Sequence, residues 1–130
     1  MSEDRVVRLF SDGKVVFPDK YVDASKTPWT AHQAYSGVYL KDLVTAKDTN
    51  GTFSCHVIWI NKGFSVGDHS HGSQWEFNEA LQGHGRMVIQ GKEYACDPGS
   101  SFVTSPGVSH EVSAPAEDIY FLAKFVPALK

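Results

Sequence analysis

Three histidines and one glutamate have the residue types and the spacing of metal ligands. His69 and His71 are separated by one residue, Glu76 follows five positions after His71, and His110 comes shortly after a Pro-Gly pair. Imidazole nitrogens and a carboxylate oxygen suit Fe, Mn, Ni or Zn in a site with open positions, and they suit Ca poorly. We therefore predict that these four residues bind one divalent transition metal, which the ligand set alone does not identify.

Extended strands explain the spacing of these residues. Side chains at i and i+2 of a strand point to the same face, so His69 and His71 can present both imidazoles to one interior while Ser70 points away. A turn around Gly72 then returns the chain, and the next strand begins with Glu76 aimed at the same point. The sequence therefore predicts that the ligands converge inside a β-structure.

The same alternation assigns the residues after Glu76 to two faces. Asn78 and Ala80 are expected on the inner face, whereas Phe77 and Glu79 are expected on the outer face. Glu76 and Asn78 are therefore the candidate catalytic residues. For Asn78 two roles stay open, a hydrogen bond to a substrate or a satisfied amide within the core.

Other side chains receive less specific predictions. Counting alternate positions on the later strands, which is a weaker argument, places three more side chains either along the cavity or simply in the core: Met87, Phe102 and Thr104. Trp75 is expected outside the barrel or at a dimer contact.

The remaining histidines do not belong to the candidate metal site. His84 lies in a Gly-His-Gly turn sequence and is expected to be exposed to solvent. His56 precedes the ligands on a predicted strand, where either an outward face or the cavity wall would fit, and a structural role is favoured. His32 lies in the N-terminal region and is assigned no role.

From residue 38 onward the chain consists of short segments rich in β-branched and aromatic residues, each bounded by Gly, Pro, Asn or Asp. This pattern predicts an all-β fold with an antiparallel barrel or sandwich over residues 37–130. Residues 1–36 are predicted to form an N-terminal arm of short strands and turns. The predicted strands are 38–45, 52–60, 69–71, 76–82, 85–89, 92–95, 101–104, 110–113 and 119–126.

The ligand spacing resembles the first sequence motif of the cupin superfamily. Gly63, His69, His71, Glu76 and Gly83 occupy every fixed position of that motif. This resemblance implies a double-stranded β-helix, or jelly-roll barrel, that holds one metal ion.

The second cupin motif is matched less completely. Gly99, Gly107 and His110 are in register, but Ser105 stands where the motif has proline and Ala114 stands where it has asparagine. Neither departure falls on a metal ligand. They put the turn geometry and the subfamily in doubt more than the metal site.

A looser resemblance concerns the segment before the barrel, which reads KYVDASKTPWTAHQAYSGVYLKDLV. It looks like the corresponding segment of cupins that cleave acetylacetone or dihydroxyacetophenone with O₂, and of zinc-binding cupin domains in anti-sigma factors. The enzyme resemblance implies Fe(II) and a small dicarbonyl or hydroxyketone substrate, with Glu76 either as a ligand or as a base. Isomerase or lyase activity and ligand sensing without turnover stay open, as do Mn, Zn and Ni.

Composition and charge exclude several classes of partner. The formal charge is -3, and the 12 basic residues form no run, so the sequence has no positively charged segment of the kind that binds nucleic acid. No stretch approaches the roughly 20 apolar residues of a membrane span.

We expect one cytoplasmic domain with reduced thiols at Cys55 and Cys96. Homodimerisation is expected only from the resemblance to cupins.

Overall fold

The computed structural model describes residues 3–130 and consists mainly of short strands. It also contains two short α-helices and one 3-10 turn, Ala24–Lys26, and none of the described helices is long and apolar enough to cross a membrane. The helices and strands are α1 (Arg5–Ser11), β1 (Lys14–Val16), β2 (Tyr21–Asp23), β3 (Trp29–Ala31), β4 (Val38–Val44), α2 (Ala46–Thr49), β5 (Ser54–Ile60), β6 (Ser65–His69), β7 (Trp75–Gln82), β8 (Gly85–Ile89), β9 (Lys92–Cys96), β10 (Ser101–Thr104), β11 (His110–Ser113) and β12 (Ile119–Val126).

The strands form two large antiparallel sheets and one small hairpin. The larger sheet has the order β10-β7-β12-β5-β4-β3, the smaller has the order β6-β11-β8-β9, and β1 pairs with β2 alone. The prediction of an all-β antiparallel jelly roll is therefore confirmed. The arm boundary at residue 36 stays a prediction, and β3, which precedes it, is paired with β4 in the larger sheet.

The main core lies between the two sheets, because residues from β4 to β12 contribute to a single apolar cluster. This cluster consists of Val38, Leu40, Ile58, Ile60, Val66, Ala80, Met87, Cys96, Phe102, Val112, Ala114, Ile119, Phe121, Ala123 and Phe125. Alternate residues of β12 and β5 enter it, as expected for strands with one face buried. Cys55 and Cys96 are both free thiols, as predicted.

The strand that carries the first two histidines differs from the prediction. It spans Ser65–His69 rather than residues 69–71, so His71 lies two residues beyond its end. His69 pairs with His110 of β11. The carbonyl of His71 instead accepts a hydrogen bond from the N–H of Gly107, which lies in the turn that precedes β11. The backbone of His71 is therefore held by a turn and not by a strand.

The prediction of only strands and turns in the arm is wrong for residues 5–11, which form α1. Asp4 caps this helix, because its side chain accepts a hydrogen bond from the N–H of Val7. Val7 and Ser11, one helical turn apart, are both fully buried. Capping and burial of one helix face therefore outweigh the strand propensity of the adjacent valines.

A second apolar cluster covers the outer face of the larger sheet. It joins α1 and the 3-10 turn to strand residues Leu43, Val57 and Tyr120. The ring of Trp59 stacks on Tyr120 at a centroid distance of 5.7 Å. The arm is thus packed on the barrel by an apolar cluster of its own.

Lys41 of β4 is buried beneath this arm. Its Nζ donates hydrogen bonds to the carbonyl oxygens of Ser11 (2.6 Å) and Ala24 (2.9 Å), and it lies 5.5 Å from the ring centroid of Trp29. The carbonyl of Ser11 lies in the last turn of α1, where carbonyl groups lack partners within the helix, whereas the carbonyl of Ala24 also accepts a hydrogen bond from the N–H of Thr27. The ammonium group therefore ties two segments of the arm to the sheet.

We predict that Lys41→Met lowers the free energy of unfolding by about 1–3 kcal/mol, because the carbonyl group of Ser11 loses its donor and that of Ala24 loses one of its two donors. Urea denaturation measures this change, and hydrogen exchange should show faster exchange in α1. The control Lys47→Met, at an exposed position, should change stability by less than about 0.5 kcal/mol. Equal stability of the two variants would contradict the role assigned to Lys41.

Candidate metal centre

The four predicted ligands converge on one point between the sheets. His69 ends β6, Glu76 lies in β7 and His110 begins β11, while His71 is held by the turn described above. One ligand atom from each residue lies within 4.8 Å of the others. The cluster of His69, His71, Glu76 and His110 therefore has the arrangement needed to hold a metal ion.

Glu76 supplies the negative charge of this cluster and is 5% exposed. Its Oε1 lies 3.0 Å from Nε2 of His110 and 3.2 Å from Nε2 of His71. Burial alone would raise the pKa of the carboxyl group. Interactions with His110, His71 and Asn78 lower the pKa by more than burial raises it, so that the pKa of Glu76 is about 2. Glu76 is therefore ionised at neutral pH.

Two of the imidazoles are oriented by backbone carbonyl groups. Nδ1 of His69 is 2.7 Å from the carbonyl oxygen of Gly67, and Nδ1 of His110 is 3.0 Å from that of Val108. Donation from Nδ1–H leaves Nε2 as the free nitrogen of each neutral ring. Histidines that bind metals commonly donate their second N–H in this way, which fixes the ring and raises its basicity.

The two ordered imidazoles differ in their tendency to take up a proton. Burial lowers the pKa of His69 below its usual value, assisted by the neighbouring His110 and His71. Burial also lowers the pKa of His110, but the adjacent Glu76 carboxylate outweighs this effect and raises it overall. A proton and a metal ion therefore compete most directly at His110.

Unsatisfied polar atoms within the cluster fit a bound cation. Oε1 of Glu76 and Nε2 of His110 are buried, and neither makes a hydrogen bond with the described residues. Buried polar atoms without partners are uncommon and call for an unseen ion or water. A divalent cation between them would satisfy both atoms, and three imidazoles with one carboxylate match the donors that transition metals prefer.

Asn78 lies behind Glu76 on the inner face, as the alternation predicts. It is fully buried, and its Nδ2 donates a hydrogen bond of 2.7 Å to Oε2 of Glu76. Its Oδ1 has no partner among the described residues, and Asn78 does not line the cavity beside the cluster. The structure therefore assigns Asn78 a position from which it orients Glu76. A catalytic role for it stays a prediction.

The cluster opens onto a cavity of about 70 Å³ between the sheets. At about 10–15 Å³ for each water-sized group, this volume holds only a small molecule. The wall outside the cluster is almost entirely apolar. It is formed by Val38, Leu40, Ile58, Val66, Val112, Phe121, Phe125, Leu129 and His32.

Of the two roles that the sequence leaves open for Met87, Phe102 and Thr104, the structure shows burial in the core. Met87, Phe102 and Thr104 are buried, but none of them lines the cavity. Two residues that do line it, His32 and Leu129, come from the arm and from the end of the chain, and no period-two count could place them there.

The other predicted positions agree with the structure. Trp75 and Phe77 are exposed on the outer surface, and His84 lies in an exposed turn, where it pairs with Glu117. His56 is fully buried and has a structural role.

His56 belongs to a chain of hydrogen bonds that anchors the end of the protein. Its Nδ1 lies 2.8 Å from Oδ1 of Asp42 and its Nε2 lies 2.9 Å from Oγ of Ser54. The same Oγ accepts a hydrogen bond of 2.8 Å from the backbone N–H of Leu129. Ser54 and Leu129 thus connect a buried polar chain to the cavity wall. Period-two alternation on β5 is the sequence signal that could have placed Ser54 and His56 on one face.

We predict that Ser54→Ala speeds hydrogen exchange at the Leu129 amide and lowers the free energy of unfolding by about 1–3 kcal/mol, because Leu129 and His56 each lose a partner. Hydrogen exchange followed by NMR measures the first effect and urea denaturation the second. The exposed Ser101→Ala serves as the matched control. Unchanged exchange at Leu129 would show that Ser54 does not anchor this segment.

Solved structures with the same fold cover most of the chain at low sequence identity. A protein described as a predicted oxalate decarboxylase from Thermotoga maritima is 23% identical, with a TM-score of 0.73 over 82% of this chain and 97% of that chain. The polyketide cyclase RemF from Streptomyces resistomycificus is 19% identical, with a TM-score of 0.71 over 82% and 78%. Ectoine synthase from P. lautus is 20% identical, with a TM-score of 0.68 over 89% and 79%.

These likenesses establish the fold and leave the reaction open, because the named proteins differ in activity. The sequence has no significant match among curated proteins. The model of the cupin domain matches residues 56–123, which is more than half of the chain. The match contains all four residues of the cluster. The chain therefore belongs to the cupin family.

Proposed function

We propose that this cupin is a mononuclear metal-dependent enzyme that acts on a small oxygenated organic molecule. The observation that carries this proposal is the convergence of three imidazoles and one carboxylate at a small apolar cavity. A purely structural metal site is closed by protein ligands, whereas a site beside a cavity leaves positions for a substrate. The arrangement therefore favours chemistry over structural support.

The metal would be held by His69, His71 and His110, with Glu76 as a fourth ligand or as a base. A divalent metal bound there would supply a Lewis acid and a template for the oxygen atoms of the substrate. Fe is the metal we favour, with Mn, Zn and Ni as alternatives. This preference for Fe over the other metals rests on the resemblance to dioxygenases in the segment before the barrel.

The residues of the chain would prepare the site for this chemistry. Glu76 is ionised, so it can bind a cation or accept a proton, and it cannot serve as an acid at neutral pH. Asn78 holds Oε2 of Glu76, which leaves Oε1 facing the imidazoles. The apolar wall excludes bulk water and so strengthens the interactions of charged groups within the cavity.

The reaction that we favour is O₂-dependent cleavage of a C–C bond in a dicarbonyl compound or hydroxyketone. Such a substrate has two oxygens for chelation, and the cavity volume admits a molecule of only a few heavy atoms. Cleavage of one C–C bond would place both atoms of O₂ in the two products.

An isomerase or lyase is the second candidate. Solved structures of similar fold include proteins named as a cyclase and a synthase, so this scaffold also hosts reactions of other types. Ligand binding without turnover is a third candidate, because the cavity and the cluster would serve a sensor equally well.

For the metal, we predict that the purified chain binds one Co(II) ion and that binding weakens as the pH falls. The weakening should begin above the ordinary histidine pKa of 6.5, because the raised pKa of His110 lets a proton compete with the metal. Isothermal titration calorimetry at several pH values measures the affinity and the number of protons released.

The variant His110→Ala should lose Co(II) affinity by more than the roughly 10–100-fold that follows loss of an outer-shell partner. His84→Ala, which removes an exposed histidine, is the matched control and should bind like the wild type. Equal binding by the two variants would contradict the metal centre.

For the reaction, we predict that the Fe(II)-loaded protein consumes O₂ when acetylacetone is added and that His69→Ala abolishes consumption. An oxygen electrode measures uptake, and mass spectrometry with ¹⁸O₂ detects label in both products. Conversion of an oxygenated substrate without O₂ uptake would favour the isomerase or lyase. Tight binding without any conversion would favour the sensor.

A further inference from the structure

His32 is the polar side chain of the cavity wall that the metal cluster does not include. The described residues that line the cavity are the four cluster residues, eight apolar residues and His32. Specificity in apolar pockets depends on a small number of placed polar groups. A molecule in this cavity thus has one imidazole available besides those of the cluster.

His32 also lines a second, open groove at the surface, formed by residues 31–37 and Tyr39. It is the residue shared by this groove and the inner cavity among the described lining residues. Its side chain therefore lies between this open groove and the cavity beside the metal cluster.

The loop that carries His32 is fixed to the barrel. The N–H of His32 donates to the carbonyl of Val38 at 2.8 Å, which continues the pairing of β3 with β4. The ring of Tyr35 lies 5.0 Å from that of His32 and 5.9 Å from that of the ligand His69. A Cβ on Gly67 would lie 3.3 Å from the Tyr35 ring, so the loop packs closely on β6.

The hydrogen bonds of His32 select one tautomer of its ring. The N–H of Ala34 donates to Nδ1 at 3.0 Å, so Nδ1 is an acceptor and the proton of the neutral ring is on Nε2. No described residue is hydrogen-bonded to Nε2. Burial lowers the pKa of His32, and Lys130 and His71 lower it further, which favours the neutral ring.

We propose that Nε2–H of His32 donates a hydrogen bond to an oxygen of the substrate while the metal cluster binds the other end of the molecule. This inference rests on the proposed function. It identifies the substrate class as small molecules with a hydrogen-bond acceptor, such as a carbonyl or carboxylate oxygen, distal to the atoms at the metal. The arm, and not only the barrel, would then determine specificity.

The test compares two variants of the full chain loaded with Co(II), with hydroxypyruvate as the probe, because one of its oxygen groups stays distal when two others chelate the metal. His32→Leu removes the donor while keeping the apolar bulk, whereas His32→Gln keeps an N–H donor. We expect His32→Leu to raise the Kd for hydroxypyruvate by about tenfold, and His32→Gln to recover most of the loss. The Co(II) absorption spectrum reports binding.

His84→Leu is the matched control, since His84 is exposed in the turn between β7 and β8 and its substitution should leave the Kd unchanged. All three variants should bind Co(II) like the wild type. If His32→Leu binds hydroxypyruvate as tightly as the wild type does, the recognition role is wrong. If His32→Gln is as weak as His32→Leu, a packing role replaces the hydrogen bond and the proposal is also wrong.

A ligand-independent measurement separates this inference from the proposed function. Long-range ¹H–¹⁵N correlation in the metal-free full chain should show His32 as the neutral tautomer protonated at Nε2. A proton on Nδ1 would overturn the inference whatever the protein binds. Failure of the wild type to bind acetylacetone would instead contradict the proposal that the substrate is a dicarbonyl compound. The tautomer measurement would still test the inference about His32.

Discussion

Glu76 holds an ionised carboxylate inside a cavity whose remaining wall is largely apolar. A buried charge costs several kcal/mol unless opposite charges and hydrogen bonds compensate for it. Here the amide of Asn78 donates a hydrogen bond to Oε2, whereas Oε1 lies 3.2 and 3.0 Å from Nε2 of His71 and His110 and has no hydrogen-bond partner among the described residues. A cation held between Oε1 and the imidazoles would supply the compensation that the protein itself leaves incomplete.

The fold supplies this arrangement from separate strands. Register pairing places His69 opposite His110 in the smaller sheet, and Glu76 faces them from β7 of the larger sheet. The backbone carbonyls of Gly67 and Val108 orient the first two rings. Because the ligands come from both sheets and from one turn, the candidate metal centre also joins the two sheets across the core.

The cavity is completed by segments outside the central strands. The arm contributes His32, and the end of the chain contributes Leu129, which Ser54 and His56 hold through hydrogen bonds. Such segments can change the size and polarity of the cavity without disturbing the metal ligands. This separation explains how one barrel can host reactions as different as those of the proteins that share its fold.

The strands and ligands were predictable because period-two alternation and turn residues are local properties. Alternation placed Asn78 inward and Phe77 outward, and the spacing of the histidines identified the cluster. The path of the arm was not predictable, since α1 depends on Asp4 capping and on burial of Val7 against distant strands. His32 and Leu129 reach the cavity through equally long-range contacts, which no local pattern records.

Crystals of the protein soaked with Co(II) and measured at the cobalt absorption edge test the central claim most directly. The account predicts one anomalous peak about 2.0–2.2 Å from a nitrogen of His69, His71 and His110, with an oxygen of Glu76 at a similar distance or facing the ion. A peak elsewhere, or none at this cluster with full occupancy at a surface histidine, would contradict it.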